Sequence, residues 1–501
     1  MLTYDMSQRG DESLYVHLYR CIRHDIEQGT IRPGQRLPSK RGLAQHLGVS
    51  VVTVEGAYRQ LVAEGYVHGR ARRGYYAADL GRTAANASHP GISAGYTAVA
   101  DYTAMHAEAA PAAHAASQPP APAVLPLEAE GSFPYAAWAK SLREALSMSS
   151  HDQLVRESDG MGSPMLRRVL ADYLRQFRGM RVDPACIVVG AGAQTLYNLL
   201  VQLLGRDRMF AVEDPGYPRL ARIYRANDVR LVPVPLDHQG VSVEYLRRTQ
   251  ASVLHFMPSH QYPTGLVTPA SRRYQLLGWA AEEPGRYLVE DDFDCEFRME
   301  GGPMPALQSM DASECVIYAN TFTKTLGQAF RIGYMVLPPH LAQAYKCNLG
   351  FYSCTVSAID QLALAQFIRT GHYERHVSRA RTKLGKAQDT LLNALGSGRL
   401  AGHVQVEGAK AGLHLVLALD DARPEEELAG LARQAGAAVA PMEAFRFSGG
   451  TAEAAGPAAA VAAGEGGTLY ADGLRRFVVS MANMEPEDAA ALAANLQRAW
   501  R

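Results

Sequence analysis

The sequence predicts a small, mostly helical N-terminal domain followed by a large α/β domain with a mainly parallel sheet. The chain has 501 residues, 47% of them hydrophobic and 20% charged, which is too long for one compact core and too apolar for a disordered chain. An Ala/Pro-rich stretch after residue 80 separates two patterned regions. In the second region helical stretches alternate with short β-rich runs, which is the pattern of an α/β domain.

Overall charge and cysteine usage exclude several classes of protein. Fifty Lys+Arg balance fifty Asp+Glu. The chain as a whole is therefore not a uniformly basic protein that binds nucleic acid or membrane through its net charge. The six cysteines form no CxxC pair. They are too few to stabilise a chain of this length by disulfide cross-links, which predicts reduced thiols. The N-terminus has no apolar segment, and no stretch approaches the apolar length of a spanning helix. We expect a cytoplasmic protein.

Residues 1–80 are predicted to form a helix-turn-helix domain. Helical periodicity runs over residues 14–28. Ser39 can cap a short helix that ends before Gly48, and Ser50 can cap a second helix that ends near residue 65. Two short helices joined by a tight glycine turn are typical of a helix-turn-helix.

The same domain is locally basic and ends in a predicted wing. Residues 13–80 carry ten Lys/Arg and five Asp/Glu, a balance of 10 − 5 = +5. The segment 65–76, GYVHGRARRGYY, predicts two strands around a basic turn. Arg70, Arg72 and Arg73 are then expected to face phosphates or a minor groove.

The segment LYVHLYRCIRHDIEQGTIRPGQRLPSKRGLAQHLGVSVVTVEGAYRQLVAEGYVHGRARRGYY resembles the winged helix-turn-helix of the GntR family. The resemblance implies DNA contacts by Arg41, which follows LPS, and by Ser50 and Thr53 at the start of the recognition helix. The family often has an arginine after the capping serine, but this chain has Val51, which can touch a thymine methyl and cannot bond guanine bidentately. We expect DNA binding with an altered operator preference; the alternative is a helical domain with a solvated basic face.

Residues 81–126 are predicted to be a flexible Ala/Pro-rich linker, because they hold little large apolar content and no sustained helical period. The large domain is predicted over residues 127–501. A second Ala/Gly stretch, residues 448–467, is expected to be an inserted surface loop.

Six β-rich runs in the large domain predict the strands of the parallel sheet. Ligands of open α/β sheets collect beyond the carboxyl ends of strands, so the residues after each run are the candidates for a site. The runs are Ile187–Val189, Met209–Val212, Val253–Met257, Tyr287–Val289, Val316–Ala319 and Tyr334–Leu337.

The first three runs are followed by segments that suit a planar, phosphorylated ligand. The glycine turn 190–194 opens a helix, and its backbone N–H groups can cradle a phosphate. Tyr217 follows the second run and could cover a planar ring, although a simple turn explains this segment by itself. The third run leads into the polar loop 258–265, which prolines stiffen.

The fourth and fifth runs are followed by acids and by a lysine. Four acids within residues 290–294 are costly at the end of a buried strand unless a cation or a protonated ring nitrogen meets one of them. No His/Cys cluster at ligand spacing accompanies them, so no metal site is predicted. Lys324 lies between hydroxyls in an apolar stretch, where a lowered pKa favours a Schiff base. Together the cradle, ring, carboxylate and lysine describe a pyridoxal 5′-phosphate (PLP) site.

The motifs GAQ, VEDPGYP, PSHQYPTG, VEDDFDCEFR and TFTKTLGQAFRIGY closely resemble the class I, fold-type I aminotransferases. With its N-terminal domain, the whole chain resembles a MocR-type regulator of the GntR family. The resemblance implies PLP as cofactor, with Lys324 as its Schiff-base lysine, Asp291 paired with the pyridine nitrogen and Tyr217 stacked on the ring. It also implies further cofactor contacts, at the phosphate by Gly192, Ala193, Gln194, Thr321, Thr323 and Arg331, and near the phenolic oxygen by His260 and Gln261.

Three departures from the aminotransferase pattern affect the predicted chemistry. Phe293 replaces the tyrosine whose hydroxyl bonds the ring oxygen. Val478 stands where the family's arginine grips a substrate carboxylate, and the tyrosine expected shortly before Gly162 is absent. We therefore expect retained cofactor binding without ordinary recognition of an amino-acid carboxylate.

The predicted function is a cytoplasmic, homodimeric transcriptional regulator that senses PLP or an amine that reacts with it, and not an enzyme, although a residual transaminase half-reaction is possible. The two N-terminal DNA-binding domains of a dimer would bind paired half-sites of double-stranded operator DNA. One alternative is an active aminotransferase with an accessory DNA-binding domain. Another is a regulator whose large domain serves only as a scaffold for dimerisation.

Overall fold

The computed structural model describes residues 2–9, 12–70, 74–80, 133–150, 154, 159–299, 305–409, 411–447, 469–470 and 472–500. The predicted linker, 81–126, and the predicted insert, 448–467, lie outside these residues, as do Arg72 and Arg73 of the predicted wing. Within the described ranges, no helix is long and apolar enough to cross a membrane.

The N-terminal helices begin and end where the sequence predicts. The Ser39 hydroxyl accepts a hydrogen bond from the Gly42 N–H at 3.1 Å, and the Ser50 hydroxyl accepts one from the Thr53 N–H at 3.0 Å, so each serine satisfies a free donor at a helix start. Gly48 ends the second helix in the left-handed conformation, with φ of 65°, which glycine adopts without steric cost. The helices are α1 (Leu14–Glu27), α2 (Lys40–Leu47) and α3 (Val51–Ala63).

A two-stranded antiparallel wing follows α3. Its strands are β1 (Val67–Arg70) and β2 (Gly74–Ala77). The core beneath the wing and the three helices contains fully buried side chains such as Leu18, Val54 and Tyr58. The helices α1 to α3, the wing and this core together form the head of the molecule.

The large domain is built on a mixed, mainly parallel sheet. Counted over the described residues, its eight strands lie in the order β3-β10-β9-β8-β7-β4-β5-β6. Among these eight strands, β10 and β6 run opposite to the other six. The strands are β3 (Ile187–Gly190), β4 (Met209–Asp214), β5 (Arg230–Asp237), β6 (Gly240–Val241), β7 (Val253–Phe256), β8 (Tyr287–Asp291), β9 (Val316–Thr321) and β10 (Gly333–Val336).

All six predicted β-rich runs are strands, and each is buried along its whole length or nearly so. Burial on both faces explains why they are continuous apolar runs rather than alternating ones. The sequence did not predict β5, which contains Pro233 and Pro235. Proline is tolerated there because β5 lies towards one edge of the sheet, beyond which only the two-residue β6 pairs with it.

Helices cover both faces of this sheet and bury its apolar side chains. Val188 and Ile317 lie in one core, while Ile187 and Tyr318 lie in another, because successive side chains of a strand point to opposite faces. The helices are α4 (Tyr135–Met148), α5 (Pro164–Arg178), α6 (Ala193–Leu204), α7 (Pro218–Ala226), α8 (Val243–Arg248), α9 (Ala270–Glu282), α10 (Thr323–Leu326), α11 (Pro339–Leu349) and α12 (Ala358–Arg369).

The C-terminal part forms a second, antiparallel sheet with its own core. Its strands lie in the order β11-β12-β14-β13 and pack against helices through Leu391, Leu415 and Phe477. The elements are α13 (His372–Ser397), β11 (Val404–Glu407), β12 (His414–Leu419), α14 (Glu425–Gln434), β13 (Ala440–Pro441), β14 (Arg475–Ser480) and α15 (Pro486–Ala499).

Candidate functional site

The predicted site residues of the large domain gather at the carboxyl ends of the parallel strands. Asp291 is the last residue of β8, and Thr321 is the last residue of the neighbouring β9. Tyr217 follows β4, and Lys324 lies in the short helix α10 directly after β9. Parallel neighbours bring these ends to one edge, which is where ligands of such sheets bind.

Lys324 has an amine that titrates near neutral pH. Burial lowers its pKa to about 8; Asp294 and Asp291 oppose this shift, and the positive charge of Arg219 adds to it. Its Nζ lies 5.9 Å from the ring centroid of Phe293. At pH 7 about a tenth of such an amine is neutral and therefore nucleophilic.

Asp291 is held by two buried partners that the sequence analysis missed. The Tyr197 hydroxyl donates to Asp291 Oδ2 at 2.6 Å, and His255 Nε2 lies 3.3 Å from the same oxygen. His255 Nδ1 in turn lies 2.6 Å from the Tyr224 hydroxyl. His255 is a polar residue inside an otherwise apolar β-rich run, and this was the available signal.

The structure forms a cradle of glycine, arginine and hydroxyl groups at the predicted phosphate position. Gly192 has φ of +81°, and a Cβ added to it would lie 2.7 Å from Arg331 Nη2. Only glycine therefore lets the guanidinium approach the turn that precedes α6. The Thr321 and Thr323 hydroxyl oxygens lie 2.8 Å apart. Ala193 is the first residue of α6.

This cradle has the chemistry that a phosphate needs. The first N–H groups of a helix, two hydroxyls and a guanidinium all favour an anion. Gln194 is exposed in the first turn of α6. A further hydroxyl, that of Thr355, accepts from the Ala191 N–H at 2.9 Å and fixes the turn; sequence reasoning did not identify it, because it lies over 160 residues away.

Tyr217 and Gln261 connect two loops that border the site. The Tyr217 ring meets the Tyr262 ring edge to face, with centroids 5.9 Å apart. Gln261 Nε2 donates to the Pro215 carbonyl at 3.0 Å, which ties the loop of Tyr217 to the loop after β7. Gln261 is thus placed to hold the loops in position.

His260 belongs to a buried cluster with Asp294 and His414. His260 Nδ1 lies 2.8 Å from Asp294 Oδ2, and the same oxygen accepts from the Leu413 N–H at 3.0 Å. The two imidazoles stack with centroids 4.1 Å apart. Burial, followed by the neighbouring His260, holds the pKa of His414 well below its usual range.

The same three side chains offer donor atoms within 4.8 Å of one another, a set that could ligate a metal ion. The sequence contained no such spacing, because His414 lies about 150 residues from His260. Two N–H donors already satisfy Asp294 Oδ2, so the contacts around this oxygen are explained without a metal.

The position of the missing carboxylate-gripping arginine is apolar. Val478 is 1% exposed and packs with Tyr262, Val416 and Met442. Arg476 points to Glu407 at 2.8 Å and to Asp472 at 2.7 Å. The other arginine near Val478 in the sequence, Arg475, donates to the Ala422 carbonyl at 3.3 Å. Both arginines therefore have partners elsewhere and do not replace the lost cation.

The predicted DNA contacts lie on the head. Arg41 is exposed on α2, and Ser50 and Thr53 lie at the start of α3, with their hydroxyl oxygens 2.8 Å apart. Arg70 ends β1, and its guanidinium lies 5.1 Å from the Tyr76 ring centroid.

The head packs against the first turn of α9 in the large domain. The Ala270 N–H donates to the Glu64 carbonyl at 2.9 Å, and Ala270 is part of the core of the head. A Cβ added to Gly65 would lie 2.6 Å from Pro269 Cβ, which shows how closely the two backbones approach.

Comparison with known proteins assigns both parts of the chain. Residues 14–76 match the family described as bacterial regulatory proteins, gntR family. Residues 126–460 match aminotransferase class I and II. An archaeal alanine:glyoxylate aminotransferase has a similar fold, with a TM-score of 0.61 at 20% identity over 74% of this chain and 88% of that one.

Similar proteins with both parts are named as transcriptional regulators. The HTH-type transcriptional regulator YdeL of Bacillus subtilis is 34% identical over 86% of this chain and 89% of its own. The probable rhizopine catabolism regulatory protein MocR of Rhizobium meliloti is 32% identical over 87% and 88%. The pyridoxine biosynthesis transcriptional regulator PdxR of Corynebacterium glutamicum is 31% identical over 81% and 84%. The chain therefore belongs to the MocR-type transcriptional regulators, in which a GntR-type helix-turn-helix domain is joined to an aminotransferase-like domain.

Proposed function

We propose that this regulator binds PLP at the carboxyl edge of its main sheet and uses it as a sensing group that controls operator affinity. The convergence of three features supports the cofactor: the amine of Lys324 with its lowered pKa, the buried carboxylate of Asp291, and the cradle of Gly192 and Arg331. A lysine, a ring-nitrogen partner and an anion cradle are what PLP requires of a protein.

Each of these residues has a distinct part in this proposal. PLP, when bound, supplies an aldehyde that bonds a primary amine and a ring that withdraws electrons. Lys324 provides the amine of the protein, and burial keeps part of it unprotonated. Asp291, fixed by Tyr197 and His255, would hold a positive charge at the ring nitrogen. Tyr217 would cover the ring and exclude water from one face.

The effector is PLP itself or an amine that reacts with it. Val478 leaves an apolar wall where a substrate carboxylate would need a cation, so a ligand without that carboxylate fits better. The name of the Corynebacterium glutamicum relative, a regulator of pyridoxine biosynthesis, supports a vitamin B6 compound as the effector.

The proposal includes a cytoplasmic homodimer with two heads on paired half-sites. Aminotransferase-like domains typically associate in pairs, and symmetric dimers match operators with repeated half-sites. Effector binding alters operator affinity only insofar as the effector prefers one arrangement of the heads.

An absorbance spectrum tests the proposal directly. Purified full-length protein receives PLP, and wild type is compared with Lys324→Ala and with the control Lys346→Ala, which changes an exposed lysine of α11. We expect a near-visible band in wild type and control that is absent from Lys324→Ala, and a PLP-dependent shift in affinity for DNA from the upstream region of its own gene. DNA binding without any band would leave the large domain as a dimerisation scaffold.

The rival function is a working aminotransferase, which the lysine and carboxylate of the site also support. Steady turnover of an amino donor with a 2-oxo acid would favour it. We expect at most a single half-reaction, because the apolar wall at Val478 does not hold the carboxylate that both substrates carry.

A further inference from the structure

The start of the recognition helix α3 exposes apolar side chains where such a helix meets DNA bases. Val52 is 76% exposed and Val51 is 42% exposed, although valine is usually buried. Both follow the cap Ser50 directly, and the N-terminal residues of a recognition helix contact base edges. The specific partner of an apolar side chain in the major groove is the C5-methyl group of thymine.

The other side chains of this first turn are used in folding. Thr53 and Ser50 are bonded to each other, with hydroxyl oxygens 2.8 Å apart and the Thr53 N–H donating to Ser50. Val54 is fully buried in the core of the head. The two exposed valines are therefore the apolar groups of this turn that are left to contact thymine methyl groups.

The first two turns also lack a side chain that can bond guanine bidentately. Residues 51–58 contain one charged residue, Glu55, and its carboxylate pairs with Lys40 at 2.7 Å. A carboxylate cannot donate the two hydrogen bonds that guanine O6 and N7 accept. Arg59 follows Val52 by seven residues, about 10 Å further along the helix axis, beyond the turn that reaches the bases.

We propose that Val52, with Val51 beside it, reads thymine methyl groups in the major groove and is the main specificity-determining residue of this recognition helix. The cations Lys40 and Arg41 on α2 then position the helix on the phosphates, which carry no sequence information. This inference rests on the DNA-binding part of the proposed function.

The test removes single methyl groups from the DNA. The full-length protein selects duplexes from a random library, and each thymine of the enriched site is then replaced by uracil, which lacks only the C5-methyl. We expect the affinity to fall about three- to tenfold at one or two thymines of each half-site, as the loss of one buried methyl predicts, and to stay unchanged at the others.

Two variants assign the effect to the residue. Val52→Ala is expected to bind the thymine and uracil sites equally at the sensitive positions. Val62→Ala, which shortens another exposed valine near the end of the same helix, is expected to discriminate as wild type does.

Two results would overturn the inference alone: uracil that is tolerated at every position by wild type, or full discrimination by Val52→Ala. If Val52→Ala fails to fold, the wild-type comparison of thymine and uracil sites still tests whether thymine methyl groups are read. A library from which no sequence is enriched would overturn the inference together with the DNA-binding part of the proposed function.

Discussion

At Lys324, burial and neighbouring charges act in opposite directions on one amine. Burial makes the largest contribution and lowers the pKa to about 8, while Asp294 and Asp291 favour the protonated form. The positive charge of Arg219 opposes these acids. The residue is therefore set so that a modest change in pH changes the fraction of nucleophilic amine.

Capture of PLP by Lys324 is expected to accelerate as the pH rises through about 8. Below this value the amine is protonated and cannot bond the aldehyde; above it the amine is neutral and the rate levels off. Stopped-flow absorbance from pH 6.5 to 9.5 measures the midpoint. A rate that is still rising at pH 9.5 without a plateau, as the ordinary lysine value of 10.5 predicts, would contradict the expectation.

A charge variant separates the effect of Arg219 from that of burial. Arg219→Gln removes a cation that lowers the pKa of Lys324, so the midpoint should move to higher pH. Arg222→Gln, at an exposed position of the same helix, serves as the control and should leave it in place. Equal midpoints in both variants would exclude a role for Arg219.

At the scale of the element, the four acids of residues 290–294, at the end of β8 and just beyond it, show what a sequence motif leaves undecided. The motif predicts one anionic cluster, but the structure gives each acid a separate partner. Glu290 accepts from two backbone N–H groups at residues 307 and 308, Asp292 pairs with Arg178, and Asp294 contacts His260. Asp291 contacts Tyr197 and His255. The partners differ because neighbouring residues of an extended segment point to different sides.

The ion pair of Arg178 and Asp292 is expected to be structurally essential. The atoms are 2.6 Å apart, and the side chains are 2% and 0% exposed. Asp292→Ala leaves a buried guanidinium without its carboxylate, which typically lowers the free energy of unfolding by about 3–5 kcal/mol. Urea unfolding measures the change by tryptophan fluorescence, since all three tryptophans lie in the large domain.

The control for this prediction is Arg247→Ala, which breaks an exposed pair with Glu282. Arg247 and Glu282 are 49% and 43% exposed in the side chain, and such pairs contribute at most about 1 kcal/mol. A loss for Asp292→Ala no larger than that of this control would contradict the expectation.

At the scale of the whole molecule, one loop joins the predicted cofactor position to the head. His260 and Gln261 lie in the loop that precedes α9, and Arg273 of α9 donates to the carbonyls of Pro258 and Thr268 at 3.1 and 3.0 Å. The start of the same helix packs on the head through Ala270. We therefore expect a displacement of the loop to reach the surface on which the head rests.

Loosening this junction is expected to uncouple DNA affinity from PLP. Tyr274 packs partly buried against the core of the head, so Tyr274→Ala should keep the absorbance band and the basal operator affinity but reduce the PLP-dependent shift. Fluorescence anisotropy with labelled operator measures both affinities. The control is Tyr245→Ala, which removes a tyrosine from the sheet core away from the head. An unchanged PLP-dependent shift in Tyr274→Ala would contradict the expectation.

The sequence by itself determined the local structure of this protein and the types of residue in its site. The helices of the head, the buried strands and the position of Lys324 after β9 follow from caps, turn residues and apolar runs, whose signals span a few neighbouring residues. The strand β5 was not predicted, because its two prolines have a low propensity for strands. Pairing within the sheet outweighs this local propensity.

Only the tertiary structure decided which distant side chains act together. His255, Tyr197 and His414 reach the site from separate elements. The distribution of the acids of residues 290–294 among Arg178, His260 and backbone donors depends on packing. Likewise, the contact between the head and α9 joins residues about 200 positions apart. Burial and long-range contacts set these partners, since a buried polar group needs a partner wherever in the chain that partner lies.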